Sequence, residues 1–183
     1  MPNSPKNKLS YIPGRNGHYL SGLGNFLQAL NIEYIGVSMM NEMLSNNFDS
    51  QLAYIYEHLR QSQPTHVIAN SYGAYLLMHV LLANPDMQFK ILLLSPVLGK
   101  GITLNRLVIP PRSKKLMTSF ENGTFPRQPT LEIHTGEFDN GCDPKLAQFI
   151  CDLGIATRCN VIPNQTHMID KTIVQRIVRD FIK

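Results

Sequence analysis

Ser71 lies where an apolar stretch, running from His66, passes directly into a helical pattern. Ala69 precedes the serine by two residues and Gly73 follows it by two, and both side chains are very small. A sharp strand-to-helix turn crowds these two positions and holds the serine hydroxyl out from the end of a sheet. The pattern therefore predicts that Ser71 is a nucleophile presented on such a turn.

A serine hydroxyl is a poor nucleophile unless a base removes its proton, and the base needs a carboxylate that orients it. Asp139 and His167 each follow a later apolar stretch, Thr130–Thr135 and Arg158–Ile162. Ligands of an open α/β sheet bind beyond the carboxyl ends of its strands, so polar residues at these ends are expected to meet. The order Ser71, Asp139, His167 thus predicts a nucleophile, an acid and a base.

Three other carboxylates lie close to the predicted acid along the chain. Asp143 and Asp170 are interpreted as N-caps of the helices that follow them. Glu137 lies nearer the strand end and is a weaker alternative. Asp139 has no structural role that the sequence reveals, which favours it as the acid.

His167 is favoured as the base because it lies in a polar loop at the predicted active edge. His18 follows the first glycine-rich turn, where a substrate contact and a purely local role are equally compatible with the sequence. We expect Asn16, His18 and Asn70 to be the substrate-binding candidates. The remaining histidines lie in predicted strands or helices, where solvation or local partners account for them: His58, His66, His79 and His134.

An acyl-transfer intermediate needs two backbone N–H donors for its oxyanion. One is expected from Tyr72, which follows the nucleophile at a helix N-terminus. The other is expected from the turn after the first strand, where Gly14 permits close approach. There the N–H of Arg15 is preferred and that of Asn16 is second.

Short apolar stretches alternate with amphipathic patterns from end to end, which predicts an α/β fold with a doubly wound, mostly parallel sheet of about six strands and helices on both faces. The strands are expected at Leu9–Pro13, Ile32–Ser38, His66–Asn70, Phe89–Ser95, Thr130–Thr135 and Arg158–Ile162. Five helices are expected, around Leu20–Leu30, after an Asp49 cap, from Ser71 to Ala83, behind Asp143-Pro144, and from near Asp170 to Phe181.

The chain of 183 residues is expected to form a single domain, 1–183. The segment 98–129 breaks the alternation and shows no clear strand, so it is a candidate small lid or substrate loop. Its basic residues would suit an anionic substrate, although a solvated loop is favoured: Arg106, Arg112, Lys114 and Lys115.

The net charge of +4, without a basic helix, does not indicate nucleic-acid binding. Three cysteines without CxxC spacing favour reduced thiols over a disulfide framework or a zinc site. No apolar run has the length of a membrane span, and Met1–Lys6 contains no hydrophobic signal core, so a cytoplasmic protein is expected. We expect no cofactor and no metal, and a monomer or a homodimer.

With these residues identified, the chain resembles the α/β-hydrolase superfamily over nearly its whole length, and most of all its compact, lidless members such as the retinoblastoma-binding-protein-9-like serine hydrolases. The matching motifs are Pro13-Gly14-x-x-Gly17, Ala69-x-Ser71-x-Gly73, Gly136-x-x-Asp139 and His167. Ala69 replaces the usual first glycine of the elbow, and Pro13 replaces a histidine. These 183 residues are expected to lack the two N-terminal strands common in larger relatives.

The resemblance implies a metal-independent serine hydrolase, of carboxylesterase type, that cleaves an ester, thioester or amide of a small or medium acyl substrate through an acyl-enzyme. The alternative is a non-catalytic binding protein that kept the fold and acts through a partner, although the complete Ser-Asp-His set disfavours it. A nucleotide-binding protein is disfavoured because the glycines at positions 14 and 17 form neither GxGxxG nor a P-loop.

Overall fold

The computed structural model describes residues 8–103 and 106–183. The predictions made for Met1–Lys6 and for the side chain of Arg106 lie outside the described residues. The elements in chain order are β1 (Leu9–Ile12), α1 (Leu23–Ala29), β2 (Tyr34–Gly36), α2 (Asn41–Leu44), α3 (Phe48–Ser62), β3 (His66–Asn70), α4 (Ser71–Ala83), β4 (Lys90–Leu94), β5 (Gly101–Thr103), β6 (Arg106–Val108), α5 (Ser113–Glu121), β7 (Thr130–Gly136), α6 (Pro144–Asp152), β8 (Arg158–Ile162) and α7 (Lys171–Phe181).

Six strands form one parallel sheet in the order β2-β1-β3-β4-β7-β8. The chain moves outward from β1 to β2, returns to the centre at β3, and then builds the other half. This reversal of direction places the carboxyl ends of β1 and β3 side by side, and a crevice at such a point is where open α/β sheets bind ligands.

Helices cover both faces of the sheet because the central strands are apolar on both sides. In β3, Val67 and Ala69 belong to the core beneath α3, α4 and α6, whereas Ile68 packs into the core beneath α1 and α7. Helix α4 is buried at every position from Tyr72 to Leu81. A doubly wound parallel sheet with helices on both faces is therefore confirmed.

The sequence located the central elements well and some peripheral ones poorly. The bounds of β3 and β8 match the prediction. The first helix begins at Leu23, and Leu20 is an exposed turn residue rather than part of its apolar stripe. The Asp49 cap was wrong, because Asn47 caps α3 by accepting the Ser50 N–H at 2.9 Å.

The segment 98–129 contains more regular structure than predicted. Strands β5 and β6 pair in antiparallel orientation, so the expectation of no clear strand was wrong. Helix α5 follows and buries Leu116 and Phe120 in the core next to α4. Short α2 was also missed, which brings the helices of the described residues to seven. That the segment acts as a lid or substrate loop stays a prediction.

Across the described residues, none of the helices has the length and apolar character that crossing a membrane requires.

The start of α4 packs so closely on the end of β1 that Gly73 has no room for a side chain. An added methyl group would clash with the carbonyl oxygen of Pro13 and would lie 2.9 Å from the carbonyl oxygen of Ile12. Backbone atoms cannot move aside cheaply, so overpacking outweighs the roughly 1 kcal/mol that alanine gains over glycine in a helix. We expect Gly73→Ala to lower the free energy of unfolding by about 2 kcal/mol, measured by urea denaturation.

Gly99→Ala is the matched control, because its added methyl would meet only the flexible Met117 side chain at 3.1 Å. It should change the free energy of unfolding by less than about 1 kcal/mol. Equal losses in the two variants would contradict the close approach at Gly73.

Candidate active site

Ser71 occupies a strained turn between β3 and α4. Its φ of 46° lies in the left-handed region that side chains with a Cβ rarely adopt. Ala69 is fully buried at the end of the strand, and Gly73 packs against β1. The turn directs the Ser71 hydroxyl into a cavity beyond the carboxyl ends of the strands.

The structure brings Ser71, His167 and Asp139 into one chain of hydrogen bonds. The Oγ of Ser71 lies 2.9 Å from Nε2 of His167, and Nδ1 of His167 lies 2.7 Å from Oδ1 of Asp139. An ionised carboxylate can only accept, so Nδ1 must carry a proton and donate it. In the neutral ring Nε2 is then an acceptor, and the Ser71 hydroxyl donates to it.

Asp139 is buried, with 4% of its surface exposed, and its oxygens are held by several donors. Oδ1 also accepts the N–H groups of Gly141 and Cys142, each at 2.8 Å, and Oδ2 accepts the Thr135 hydroxyl at 2.9 Å. Burial alone would raise the pKa of the Asp139 carboxyl, but the His167 ring and the surrounding donors hold that pKa below its usual value. The carboxylate is therefore ionised when it faces His167.

The other three carboxylates near this loop have separate roles. Asp143 caps α6 as predicted, accepting the Lys145 N–H at 3.0 Å. Glu137 accepts the Asn164 N–H at 3.0 Å. Asp170 occupies the N-cap position of α7 without a side-chain cap bond, and its carboxylate instead accepts from the Gln165 amide at 3.1 Å.

Two glycines let the His167 loop lie against the acid loop. An added Cβ at Gly141 would lie 2.6 Å from Nδ1 of His167. At Gly136 it would clash with the carbonyl oxygens of Gln165 and Thr166. The Gly136 of the Gly-x-x-Asp motif is therefore needed for loop packing, a role that a single sequence does not reveal.

The predicted oxyanion donors are the backbone N–H groups of Tyr72 and Arg15. Within the described part of the chain, neither the Tyr72 N–H nor the Arg15 N–H donates to an acceptor. The Asn16 N–H, the second choice, is occupied by the Met39 carbonyl at 2.8 Å. The Arg15 guanidinium lies over the Tyr72 ring, 4.7 Å from its centroid, which holds the two residues together.

The three substrate-binding candidates differ in whether they line the cavity. His18 and Asn70 line the cavity beside Ser71, whereas Asn16 does not. The His18 ring stacks on Tyr19 and accepts the Leu20 N–H at 3.1 Å, so part of its role is local. A role for these residues in substrate binding stays a prediction.

The remaining histidines lie away from the cavity. His58 bonds to Ser10 at 2.8 Å, and His66 bonds to Thr65 at 2.9 Å. His134 contacts Glu132 and Asn160, both at 3.3 Å. His79 packs among aromatic rings, and burial lowers its pKa to about 4.

The cavity beyond Ser71 has a volume of about 1000 Å³ and opens to solvent. Arg15 is the one lysine or arginine in its described lining, and that lining contains no carboxylate. Ile109, Pro110 and Pro111 come from the segment 98–129 and form part of its wall. Further large apolar side chains line the cavity: Tyr11, Leu23, Leu94, Val97, Met168, Ile169 and Val174.

Ser95 is a cavity residue that the sequence did not single out. It follows β4 directly, is buried with 5% of its surface exposed, and has a φ of 44°. Among the described residues, its Oγ and the Oδ1 of Asn70 are buried without a hydrogen-bond partner. A serine after an apolar strand gives no sequence signal of this conformation.

Within the same described residues, no group of three or more His, Cys, Asp or Glu side chains could hold a metal ion.

The positive φ of Ser71 has a measurable cost. Ser71→Ala and Ser71→Gly both remove the hydroxyl, but only the glycine variant also removes the Cβ that makes this backbone conformation unfavourable. We expect Ser71→Gly to be more stable than Ser71→Ala by about 1 kcal/mol in urea denaturation, even though glycine gains more entropy on unfolding. Equal stability, or a more stable alanine variant, would show that the turn stores no strain.

The lowered pKa of Asp139 predicts a dependence of stability on pH. The folded carboxyl loses its proton more readily than the unfolded one, so its stabilising effect is complete above the unfolded pKa, about 4. That effect is lost as the pH falls through the folded pKa. We expect the free energy of unfolding of the wild type to fall more steeply in this acid range than that of Asp139→Asn.

Asp86→Asn, at an exposed aspartate, is the control and should keep the wild-type slope. Parallel curves for the wild type and Asp139→Asn would contradict an Asp139 carboxylate that stabilises the folded state.

Structural superposition relates this chain to known proteins, whereas sequence comparison does not. No family model and no curated protein matches the sequence. The monoacylglycerol lipase of Paleococcus ferrophilus superposes with a TM-score of 0.71 at 11% identity, over 96% of this chain and 93% of that one. Est1E from Butyrivibrio proteoclasticus gives 0.69 at 14% identity, over 99% of this chain and 89% of that one.

Alpha/beta hydrolase domain-containing protein 10 from mouse gives a TM-score of 0.67 at 13% identity, over 96% of this chain and 89% of that one. The sheet order, the strand-to-helix turn at Ser71 and these superpositions agree. The chain therefore has the α/β-hydrolase fold.

Proposed function

We propose that the protein is a serine hydrolase that cleaves an ester, thioester or amide of a small or medium acyl substrate through an acyl-enzyme on Ser71. The observation that carries this proposal is the continuous hydrogen-bond chain from Ser71 Oγ through His167 to Asp139, with distances of 2.9 and 2.7 Å. A nucleophile, a base and an orienting acid within hydrogen-bond reach are the parts that acyl transfer needs.

In the first half of the reaction, Ser71 Oγ attacks the carbonyl carbon of the substrate while its proton moves to His167 Nε2. The carbonyl electron pair moves onto oxygen, and the N–H groups of Tyr72 and Arg15 donate to that oxyanion. Asp139 holds the imidazole in place and stabilises its cation. When the carbonyl re-forms, the bond to the leaving group breaks and the alcohol, thiol or amine takes the proton from His167.

In the second half, water attacks the acyl-enzyme and gives a proton to His167 Nε2. The second tetrahedral intermediate uses the same two N–H donors. Its collapse breaks the bond to Ser71 Oγ, which takes the proton back, and the carboxylic acid leaves. Each proton that His167 accepts is returned, so the enzyme ends the cycle unchanged.

The lining of the cavity favours an uncharged, largely apolar acyl group. Leu94, Val97 and Ile169 provide apolar surface near Ser71. The one lysine or arginine of the described lining, Arg15, has its guanidinium over the Tyr72 ring. Structural neighbours include a monoacylglycerol lipase and Est1E, which has also been solved with ferulic acid bound. These names support ester chemistry, and a carboxylesterase-type activity is part of the proposal.

A fluorophosphonate probe tests the proposal directly, because it labels only a serine that has been activated as a nucleophile. We expect intact mass to show a single adduct on the wild type and none on Ser71→Ala, because the probe must react at Ser71 Oγ. Ser62→Ala, which removes a hydroxyl from α3, is the control and should be labelled like the wild type.

A folded wild type without an adduct would overturn the proposal and favour a binding protein that kept the fold. Labelling of Ser71→Ala at the wild-type rate would overturn the assignment of the nucleophile.

A further inference from the structure

A second cavity of about 460 Å³ adjoins the one beyond Ser71, and Ile109 lines both. It lies between the start of α5 and the start of α6, on the side of the active-site cavity where the segment 98–129 forms the wall. A substrate that is held at Ser71 and extends past Ile109 would enter this second space.

The second cavity is rimmed by lysines. Its described lining contains Lys100, Lys114 and Lys145 and one carboxylate, that of Asp143. The Asp143 carboxylate already accepts the Lys145 N–H at 3.0 Å, and it lies 3.9 Å from Nζ of Lys100. Within the described lining, three lysines against one carboxylate leave two uncompensated positive charges.

Two helices begin at this cavity, which adds to its positive potential. Ser113 is the first residue of α5 and Pro144 is the first of α6, and each helix has nine residues. Helix N-termini favour anions because their first N–H groups point outward without partners. In the described part of the chain, the N–H groups of Lys114 and Leu146 donate to no acceptor.

Apart from Ser113, the remaining described side chains of the wall are apolar, which distinguishes the cavity from an ordinary solvated lysine patch. Ile109, Met117 and Leu146 line it beside the lysines. Such a mixture suits an organic group that carries an anion at its end, rather than an inorganic ion alone.

Arg112, one of the basic residues that would suit an anionic substrate although a solvated loop was favoured, does not line this cavity. Its guanidinium forms a 2.7 Å ion pair with Asp49 and lies over the Phe48 ring, 5.5 Å from the centroid. Among the described residues, the lysines of the second cavity form no such close pair, and their one ion pair is the 3.9 Å contact of Lys100 with Asp143.

We propose that this lysine-rimmed cavity binds a phosphate monoester on the leaving group of the acyl substrate, while the acyl chain occupies the apolar cavity at Ser71. A phosphate monoester carries close to two negative charges at neutral pH, which matches the two uncompensated positive charges. The inference rests on the proposed hydrolase function, because it identifies the substrate class of that same site.

Two matched substrate pairs test the proposal, and each pair differs only by the phosphate. One pair is S-butyryl-4′-phosphopantetheine and S-butyryl-pantetheine. The other is 1-butyrylglycerol 3-phosphate and 1-butyrylglycerol. For at least one pair we expect the phosphorylated member to have a kcat/KM at least about tenfold higher, and the pair with the larger ratio distinguishes a thiol carrier from a glycerol phosphate.

The ratio should fall to less than about threefold in Lys114→Gln/Lys145→Gln, because two of the three ammonium groups are gone. Lys114→Arg/Lys145→Arg should retain most of it. Lys90→Gln is the control, since Lys90 is exposed at the opposite end of β4, and it should keep the wild-type ratio. A ratio near one for both pairs in the wild type, or a high ratio that persists in the double glutamine variant, would overturn the proposal.

A binding measurement separates failure of this proposal from failure of the proposed function. In Ser71→Ala, calorimetric titration should show a Kd about tenfold lower for S-butyryl-4′-phosphopantetheine or 1-butyrylglycerol 3-phosphate than for its unphosphorylated partner. Phosphate-dependent binding without any hydrolysis by the wild type would refute the hydrolase and support the cavity. Hydrolysis of all four substrates with equal affinity within each pair would support the hydrolase and refute the cavity.

Discussion

The structure depends on one close packing contact, that of the start of α4 against the end of β1. Gly73 leaves no space for a side chain there, and Ser71 turns the chain with a φ of 46° to make the approach. This contact lets α4, which is buried from Tyr72 to Leu81, follow β3 with no intervening loop. It also directs the first N–H groups of α4 and the hydroxyl of Ser71 toward the same point in space.

A second constraint acts at the other side of the site, where a buried carboxylate must be satisfied. Asp139 has four donors around its two oxygens, from Thr135, Gly141, Cys142 and His167. Because unsatisfied buried charge is very unfavourable, this arrangement fixes the acid loop. The loop in turn fixes His167, since the ring packs against Gly141 without space for a Cβ. Stability and the geometry of the base thus have a common origin.

The sequence predicted the centre of the sheet and the hydrogen-bonded trio because their signals are local. The change from an apolar run to a helical pattern, with Ala69 and Gly73 around Ser71, needs no knowledge of distant contacts. The Asn47 cap was missed because Asp49 has an equally suitable side chain. In the structure Asp49 lies in the first turn of α3 and pairs with the distant Arg112. The Asn16 N–H was likewise occupied by Met39, a partner that no periodicity reveals.

Strain and unsatisfied polar atoms concentrate beside Ser71. Asn70 pairs in register with Leu94, so Ser95 lies next to Ser71 at the carboxyl ends of β3 and β4. Of the three buried side-chain atoms without a partner in the described residues, two are Asn70 Oδ1 and Ser95 Oγ. Ser71 and Ser95 both have positive φ. Such unfavourable features persist where surrounding packing enforces them, and they cluster at functional sites more often than in ordinary cores. Their position here independently supports the proposal that the strand ends around Ser71 form the functional site.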